Sequence, residues 1–293
     1  MIEQYTDPKA PLGRKAKILA VICTFVPEGQ IEKGTLARSN IPPYEYHPYD
    51  ENKLDSIKFN VACHEHYKPG AAYDIVIIDS SSPDKAAQDY LKSLPYPVHS
   101  REDVGFSFGS REFAYHQYKD QYDYFVFFDQ DCVPTKDGWL SELLLLFHSE
   151  PNIGAVGVHL EHHNLSARHC SPMKKYLPIL EGREDLRNFE GTFMFTSTRV
   201  LRDCEDLGGM NVLPVKGGQA DGQYQAIWNE LGHQLSMLEH GYRLLSMDDT
   251  HKYYVGTSYF DTDPRHVNRE LAPVTLGHVR HFIEGKHFHW HYV

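Results

Sequence analysis

Apolar residues in this chain cluster in short bursts, each halted by polar or turn-forming positions. KILAVICT at residues 17–24, YDIVIID at 73–79, YFVFFD at 124–129 and IGAVGVHL at 153–160 are nearly unbroken apolar runs. Runs of that kind predict strands buried on both faces of a sheet. Between them, residues 85–94, 109–121 and 139–149 predict helices, with Phe113 and Gln117 one turn apart on the second. Val98 opens a further strand or loop, 193–196 is a short strand, 198–204 a short helix, and a helix runs from about 222 to 231. Two more short strands are expected at 242–247 and 253–255. Residues 25–67, rich in Pro, Tyr and charge, read as an irregular excursion, and the polar, His-rich stretch 161–187 as a lid or acceptor loop. Strand and helix alternate through the first 160 residues, which predicts a mostly parallel, doubly wound α/β sheet flanked by helices. We expect a single domain over 1–293, with one half at 17–150, a second at 151–256 and a polar, aromatic tail at 257–293.

Composition narrows the class. A chain of 293 residues with 41% hydrophobic and 24% charged content can bury a sizeable core. The formal charge of −11 argues against broad electrostatic binding of nucleic acid. It leaves a nucleotide ligand open, because a bound divalent cation inverts the local field. The five cysteines (Cys23, Cys63, Cys132, Cys170, Cys204) are scattered without CxxC spacing and read as reduced thiols. Residues 1–17 carry no apolar core of a secretory signal, and no run approaches the ~18–20 apolar residues of a spanning helix. A cytoplasmic protein is the expectation.

The chemistry begins where the third run stops. After Phe128 come Asp129, Gln130 and Asp131, two carboxylates one residue apart, then Cys132, Val133 and Pro134. Carboxylates at the carboxyl end of a parallel strand stand where open α/β sheets bind ligands. Two hard oxygen donors so spaced suit Mg²⁺ or Mn²⁺ shared with a diphosphate. The second run likewise ends in Asp79, followed by Ser80, Ser81 and Ser82. His64-Glu65-His66 and His159, His162 and His163 lack zinc-site spacing and read as surface or acceptor-loop histidines. His287, His289 and His291 alternate in the manner of an edge strand or packed tail. Neither a phosphate-binding Gly-Lys-Ser/Thr loop nor a Gly-x-Ser-x-Gly nucleophile turn is present.

Taken in order, KILAVICT, DIVIIDSSSPD, the segment DVGFSFGSREFAYHQYKDQYDYFVFFDQDCVPTKDGWLSELL, GTFMFTSTRVL and the helix opened by Ala220-Asp221 resemble family 2 glycosyltransferases of GT-A fold, especially rhamnosyltransferase-like members. The resemblance implies a metal-dependent, inverting transfer from a UDP-, dTDP- or GDP-linked sugar to an acceptor hydroxyl on a glycan, a protein or, less commonly, modified nucleic acid. It implies that Asp79 binds the nucleobase, with Thr24, Phe25 and Val26 walling base and ribose. Gly105 and Gly109 would let the backbone approach the ligand closely, and the Arg111 guanidinium would meet a phosphate. Asp131 would ligate Mn²⁺ or Mg²⁺ directly, with Asp129 on the ribose or a metal-bound water and the late His251 as a further ligand. Asp221, preceded by Ala220 where the family often has a second acid, would be the catalytic base, with Glu190 as the alternative. Two other readings are a sugar-phosphate nucleotidyltransferase, disfavoured by the absence of a basic Gly-rich loop at residues 25–29, and a binding module without turnover.

Overall fold

In a computed structural model, the residues described are 15–28, 53–102, 104–130, 132–158, 160–162, 187–189, 191, 193–207, 222–247 and 254–257. The first half runs β1 (Ile18–Thr24), α1 (Lys53–His66), β2 (Asp74–Asp79), α2 (Lys85–Ser93), β3 (Val98–Ser100), α3 (Phe106–Tyr118) and β4 (Tyr124–Asp129). There follow β5 (Cys132–Pro134), α4 (Trp139–Phe147), β6 (Ile153–Gly157), β7 (Leu160–His162), β8 (Arg187–Phe189), β9 (Phe193–Ser197) and α5 (Thr198–Asp203). The last elements are α6 (Gly222–Glu239), β10 (Arg243–Ser246) and β11 (Val255–Thr257).

Seven strands form one sheet in the order β10-β6-β9-β4-β1-β2-β3. Its pairings are parallel except the two made by β9, which lies antiparallel between β4 and β6. The expected mostly parallel α/β sheet is therefore present. Strand order reverses between β1 and β4: β1 leads outward through β2 to β3, whereas β4 lies on its other side. Such a reversal opens a crevice at the carboxyl ends of the two strands, where no helix connection covers them.

The apolar runs are buried because both sheet faces are covered. Every residue of β1 is buried, and Phe125, Phe127 and Phe128 of β4 have no exposed surface. Rings carry much of the packing: Phe125 stacks with Phe127 at 5.5 Å, and Phe128 meets Trp139 of α4 edge-on at 5.7 Å. A smaller cluster holds Ile22 and Ile77 against Ile57 and Val61 of α1 and Ala87 and Leu91 of α2. Local signals close the helices. The Asp84 carboxylate caps α2 by accepting from the Ala87 N–H at 2.7 Å, and the Ser197 hydroxyl caps α5 through the Val200 N–H at 3.2 Å.

Several expectations need correction. The 25–67 segment is not irregular throughout, since α1 occupies Lys53–His66 within it. The inward positions Ile57, Asn60, Val61 and His64 recur at helical spacing, but two are polar, which hides the apolar stripe. His64 is consequently a core residue and not a surface one. Helix α3 starts at Phe106 instead of residue 109, and α6 runs on to Glu239. The strand expected at 253–255 lies at Val255–Thr257, held in register by pairing with β5.

Candidate active site

Register alone brings the strand-end residues to one level. Thr24 pairs with Asp79, Asp79 with Ser100, and Cys23 with Asp129. These positions end the parallel strands on both sides of the β1/β4 reversal.

Asp79 is buried and anchored on both carboxylate oxygens. Thr24 Oγ1 donates to its Oδ1 at 3.0 Å and Ser82 Oγ to the same atom at 2.5 Å, while the Ser82 N–H donates to Oδ2 at 2.9 Å. Ser82 Oγ in turn accepts from the Val26 N–H at 2.8 Å. The Ser-rich loop after β2 is thus folded around Asp79 and tied to the end of β1. Phe25, next in line, presents 38% of its surface to solvent, an unusual exposure for a large ring. Its N–H donates across the crevice to Gln130 Oε1 at 2.8 Å. An exposed aromatic face beside a fixed carboxylate matches the flat face and polar edge of a nucleobase.

Arg111, on α3, is 1% exposed and reaches inward. Its Nη2 donates to Asp129 Oδ1 at 2.8 Å and also to the Gly191 carbonyl before β9. The guanidinium lies 4.7 Å from the centre of the Phe108 ring. One cation therefore joins α3, the tip of β4 and the approach to β9. Cys23 sits beside it. Burial pushes that thiol up to about 12 despite the opposing pull of Arg111. His233 of α6 packs edge-on against Phe108 at 5.5 Å and is pushed down to about 3, chiefly by burial and then by Arg111. It is a neutral ring at neutral pH.

The two glycines that open α3 have different reasons to be glycine. Gly105 has φ +79°, the left-handed region that side chains disfavour. At Gly109 an added Cβ would stand 2.0 Å from the Val104 carbonyl and 2.4 Å from Arg101 Nη2. The space beside Gly109 is thus filled by protein. Arg101, just past β3, also donates to Ser80 Oγ at 3.0 Å and to Ser110 Oγ at 3.2 Å.

The reading of the sequence missed Asn60. On α1 and fully buried, its Nδ2 donates to the carbonyls of Cys132 at 2.6 Å, Asp129 at 3.3 Å and Gln130 at 3.4 Å. A helix laid across the sheet edge thereby grips the backbone that carries the paired aspartates. The available signal was an Asn within the helical apolar pattern of Ile57, Val61 and His64.

Asp131, Glu190, Asp221 and His251 lie outside the described residues. Among the described residues, no three His, Cys, Asp or Glu side chains converge on a metal position. Asp129 is the carboxylate at the crevice, with 23% of its side chain exposed and its Oδ1 on Arg111. An anionic oxygen donor, partly solvated and rigidly held, fits a hard divalent cation. Helix α6 begins at Gly222, directly after Asp221, and packs on α3. Strand β11 runs antiparallel to β5 with Thr257 opposite Cys132 and Val255 opposite Pro134, so its Thr257 end lies nearest the aspartate segment.

Residues 52–207 match the family described as glycosyl transferase family 2, and this chain belongs to that family. The matched segment holds α1 through α5, and with them Asn60, Asp79, Arg111 and Asp129. No curated protein sequence matches the chain. Among solved structures, it is similar to the mannosyltransferase PcManGT from Pyrobaculum calidifontis in complex with GDP-Man and Mn²⁺, at 13% identity and TM-score 0.40 over 78% of this chain and 54% of that one. It is also similar to residues 1–349 of S. aureus TarS in complex with UDP-GlcNAc, at 15% identity and TM-score 0.41 over 82% and 57% of the two chains. A CMP:2-keto-3-deoxy-manno-octonic acid synthetase complexed with CTP reaches 13% identity and TM-score 0.42 over 79% and 89%. Overlaps this loose carry no chemistry across. The chain spans about half the length of the mannosyltransferase, 54%.

Proposed function

We propose that this protein transfers a sugar from a nucleoside-diphosphate donor to an acceptor hydroxyl, with metal dependence and inversion at the anomeric carbon. The observation that carries the reading is the meeting of Thr24, Phe25, Asp79 and Asp129 at the strand-order reversal of a family 2 chain. Phe25 stacks on the base of a UDP, dTDP or GDP unit and Asp79 accepts its N–H. Arg111 holds Asp129 in place; its burial gives it a positioning role where a phosphate contact was expected from the sequence.

Asp129 and Asp131 would hold Mn²⁺ or Mg²⁺, which neutralises charge on the departing diphosphate. His251 is proposed as a further ligand on its sequence position alone. The acceptor oxygen forms a bond to the anomeric carbon as the bond from that carbon to the diphosphate oxygen breaks. The electron pair leaves with the nucleoside diphosphate. Asp221, the residue before Gly222 in the sequence, takes the acceptor proton, with Glu190 as the other candidate base. Residues 17–150 serve the donor and 151–256 the acceptor, within one domain.

Thermal unfolding with UDP, dTDP and GDP, with and without Mn²⁺, tests the donor site. A ligand at about a hundredfold excess over its Kd adds about 2.7 kcal/mol to the native state. We expect one nucleotide to raise Tm in a Mn²⁺-dependent way and Asp131→Ala to abolish the rise. No shift with any nucleotide would overturn the donor assignment.

A further inference from the structure

A second concavity lies at the opposite end of the sheet. It measures about 610 Å³ and is lined by His64, Tyr73, Asp74, Tyr96, Tyr118 and Tyr122, among others. Asp74 and Asp79 are the two ends of β2, five residue steps or roughly 17 Å apart at ~3.3 Å each. The Asp74, Tyr96 and Tyr122 part of the lining is therefore remote from the donor crevice, whereas His64, at the inner end of the groove, packs edge-on against Phe128 at 4.8 Å.

The four tyrosines are half-buried, so each shows part of a ring while its hydroxyl is engaged. Tyr122 donates to Asp74 Oδ2 at 2.9 Å and Tyr96 to Glu65 Oε1 at 3.2 Å. The Tyr118 hydroxyl meets His99 Nε2 at 2.7 Å, and the Tyr73 hydroxyl meets His64 Nδ1 at 3.0 Å. His64 is 5% exposed, lines the cavity, and leaves Nε2 without a hydrogen-bond partner among the described residues. Either tautomer leaves that buried nitrogen needing a donor or an acceptor. Burial raises the pKa of Tyr73, Tyr96, Tyr118 and Tyr122, so the phenols remain neutral hydrogen-bonding groups throughout the physiological range.

Aromatic faces beside carboxylates define the ligand chemistry. A pyranose offers C–H faces to rings and pairs of hydroxyl donors to carboxylates. An anionic ligand would be repelled by Asp74 and Glu65. A proline-rich peptide would suit the rings, but proline has no N–H to satisfy the carboxylates. We propose that this groove is a non-catalytic binding site for a neutral oligosaccharide, remote from the transfer site. The site's chemistry stands apart from the transferase reading, although a glycan-handling family makes the ligand apt.

Saturation-transfer NMR on the full chain, with maltotriose, cellotriose, mannotriose and chitotriose as probes, tests it. At least one trisaccharide should receive saturation. Its affinity should fall roughly tenfold or more in Tyr96→Ala and measurably in the surface variant Asp74→Asn, and persist in Asp129→Asn. Circular dichroism checks that each variant folds. If none of the four sugars binds, the proposal fails. It also fails if binding survives Tyr96→Ala and Asp74→Asn but is lost in Asp129→Asn, which would put the sugar in the transfer crevice. Tyrosine-dependent binding of decaproline without sugar binding would overturn it in favour of peptide recognition. Sugar binding that depends on Tyr96 while every nucleotide fails to shift Tm would sustain the groove and sink the donor site.

Discussion

Arg111 shows how far a single side chain is committed by its surroundings. It is a buried cation whose carboxylate partner lies at the crevice and whose second contact is a backbone carbonyl. Replacing it with Ala removes the counter-charge of Asp129 and a large buried volume. We expect a loss of about 3 kcal/mol in urea unfolding, in the range for breaking a buried pair, and weaker donor binding. Variants that unfold at the wild-type midpoint would refute that role. His64 and His233 make a prediction of a different sign. Both are pushed down to about 3 by burial, so the folded chain keeps them neutral where the unfolded chain, near 6.5, takes up protons. Their stabilisation is complete above about pH 6.5 and declines as pH falls toward 3, by about 2 kcal/mol each at pH 5. Urea midpoints at pH 7.5, 6 and 5 should show a steeper decline in wild type than in His233→Phe.

Among elements, α1 is the one whose absence from the sequence pattern matters most. Its inward face contains Asn60, which holds three carbonyls of the segment from Asp129 to Cys132. Asn60→Ala removes the Nδ2 donor shared by those carbonyls, at a cost of about 2 kcal/mol in stability. Because the clamp orients the backbone of the proposed metal site, Mn²⁺-dependent nucleotide affinity should also fall by roughly 10-fold or more. Calorimetric titration of Mn²⁺-nucleotide into wild type and variant measures this. Equal affinities would leave Asn60 a purely structural residue. By contrast, β1, β2 and β4 were legible at once. A run of apolar residues long enough to span a sheet, stopped by Asp, has few other ways to be satisfied. Helix α1 was hidden because two of its inward positions carry polar groups that only tertiary partners satisfy.

At the scale of the molecule, the sheet separates two ends with different chemistry: the crevice at the carboxyl ends of β1 and β4, and the tyrosine groove at the amino ends of β1 and β2. Among the described residues no helix is long and apolar enough to cross a membrane. Cys23, Cys63, Cys132 and Cys204 are buried and take part in no disulfide among the described residues, and burial raises Cys23 and Cys204 to about 12. Thiol labelling of native protein should accordingly leave those four unmodified until global unfolding exposes them. Mass mapping after a short pulse of iodoacetamide checks it, and rapid native labelling of Cys63 or Cys132 would contradict the packing.

The sequence alone determined β1, β2, β4, β6, β9 and β10 of the main sheet, the α/β class, and that Asp79 and Asp129 end strands, because burial of apolar runs and their termination by charge are properties of neighbouring residues. It also pointed to the family whose match the chain bears out. Only the tertiary structure decided that Arg111 turns inward to Asp129, that Asn60 clamps the aspartate backbone, that Gly109 makes room for Arg101, and that β9 runs against its neighbours. Each of these depends on residues distant in the chain. A contact such as Arg111 to Gly191 or Asn60 to Cys132 leaves no periodicity or spacing behind, since its energy arises only when the sheet register brings the partners together.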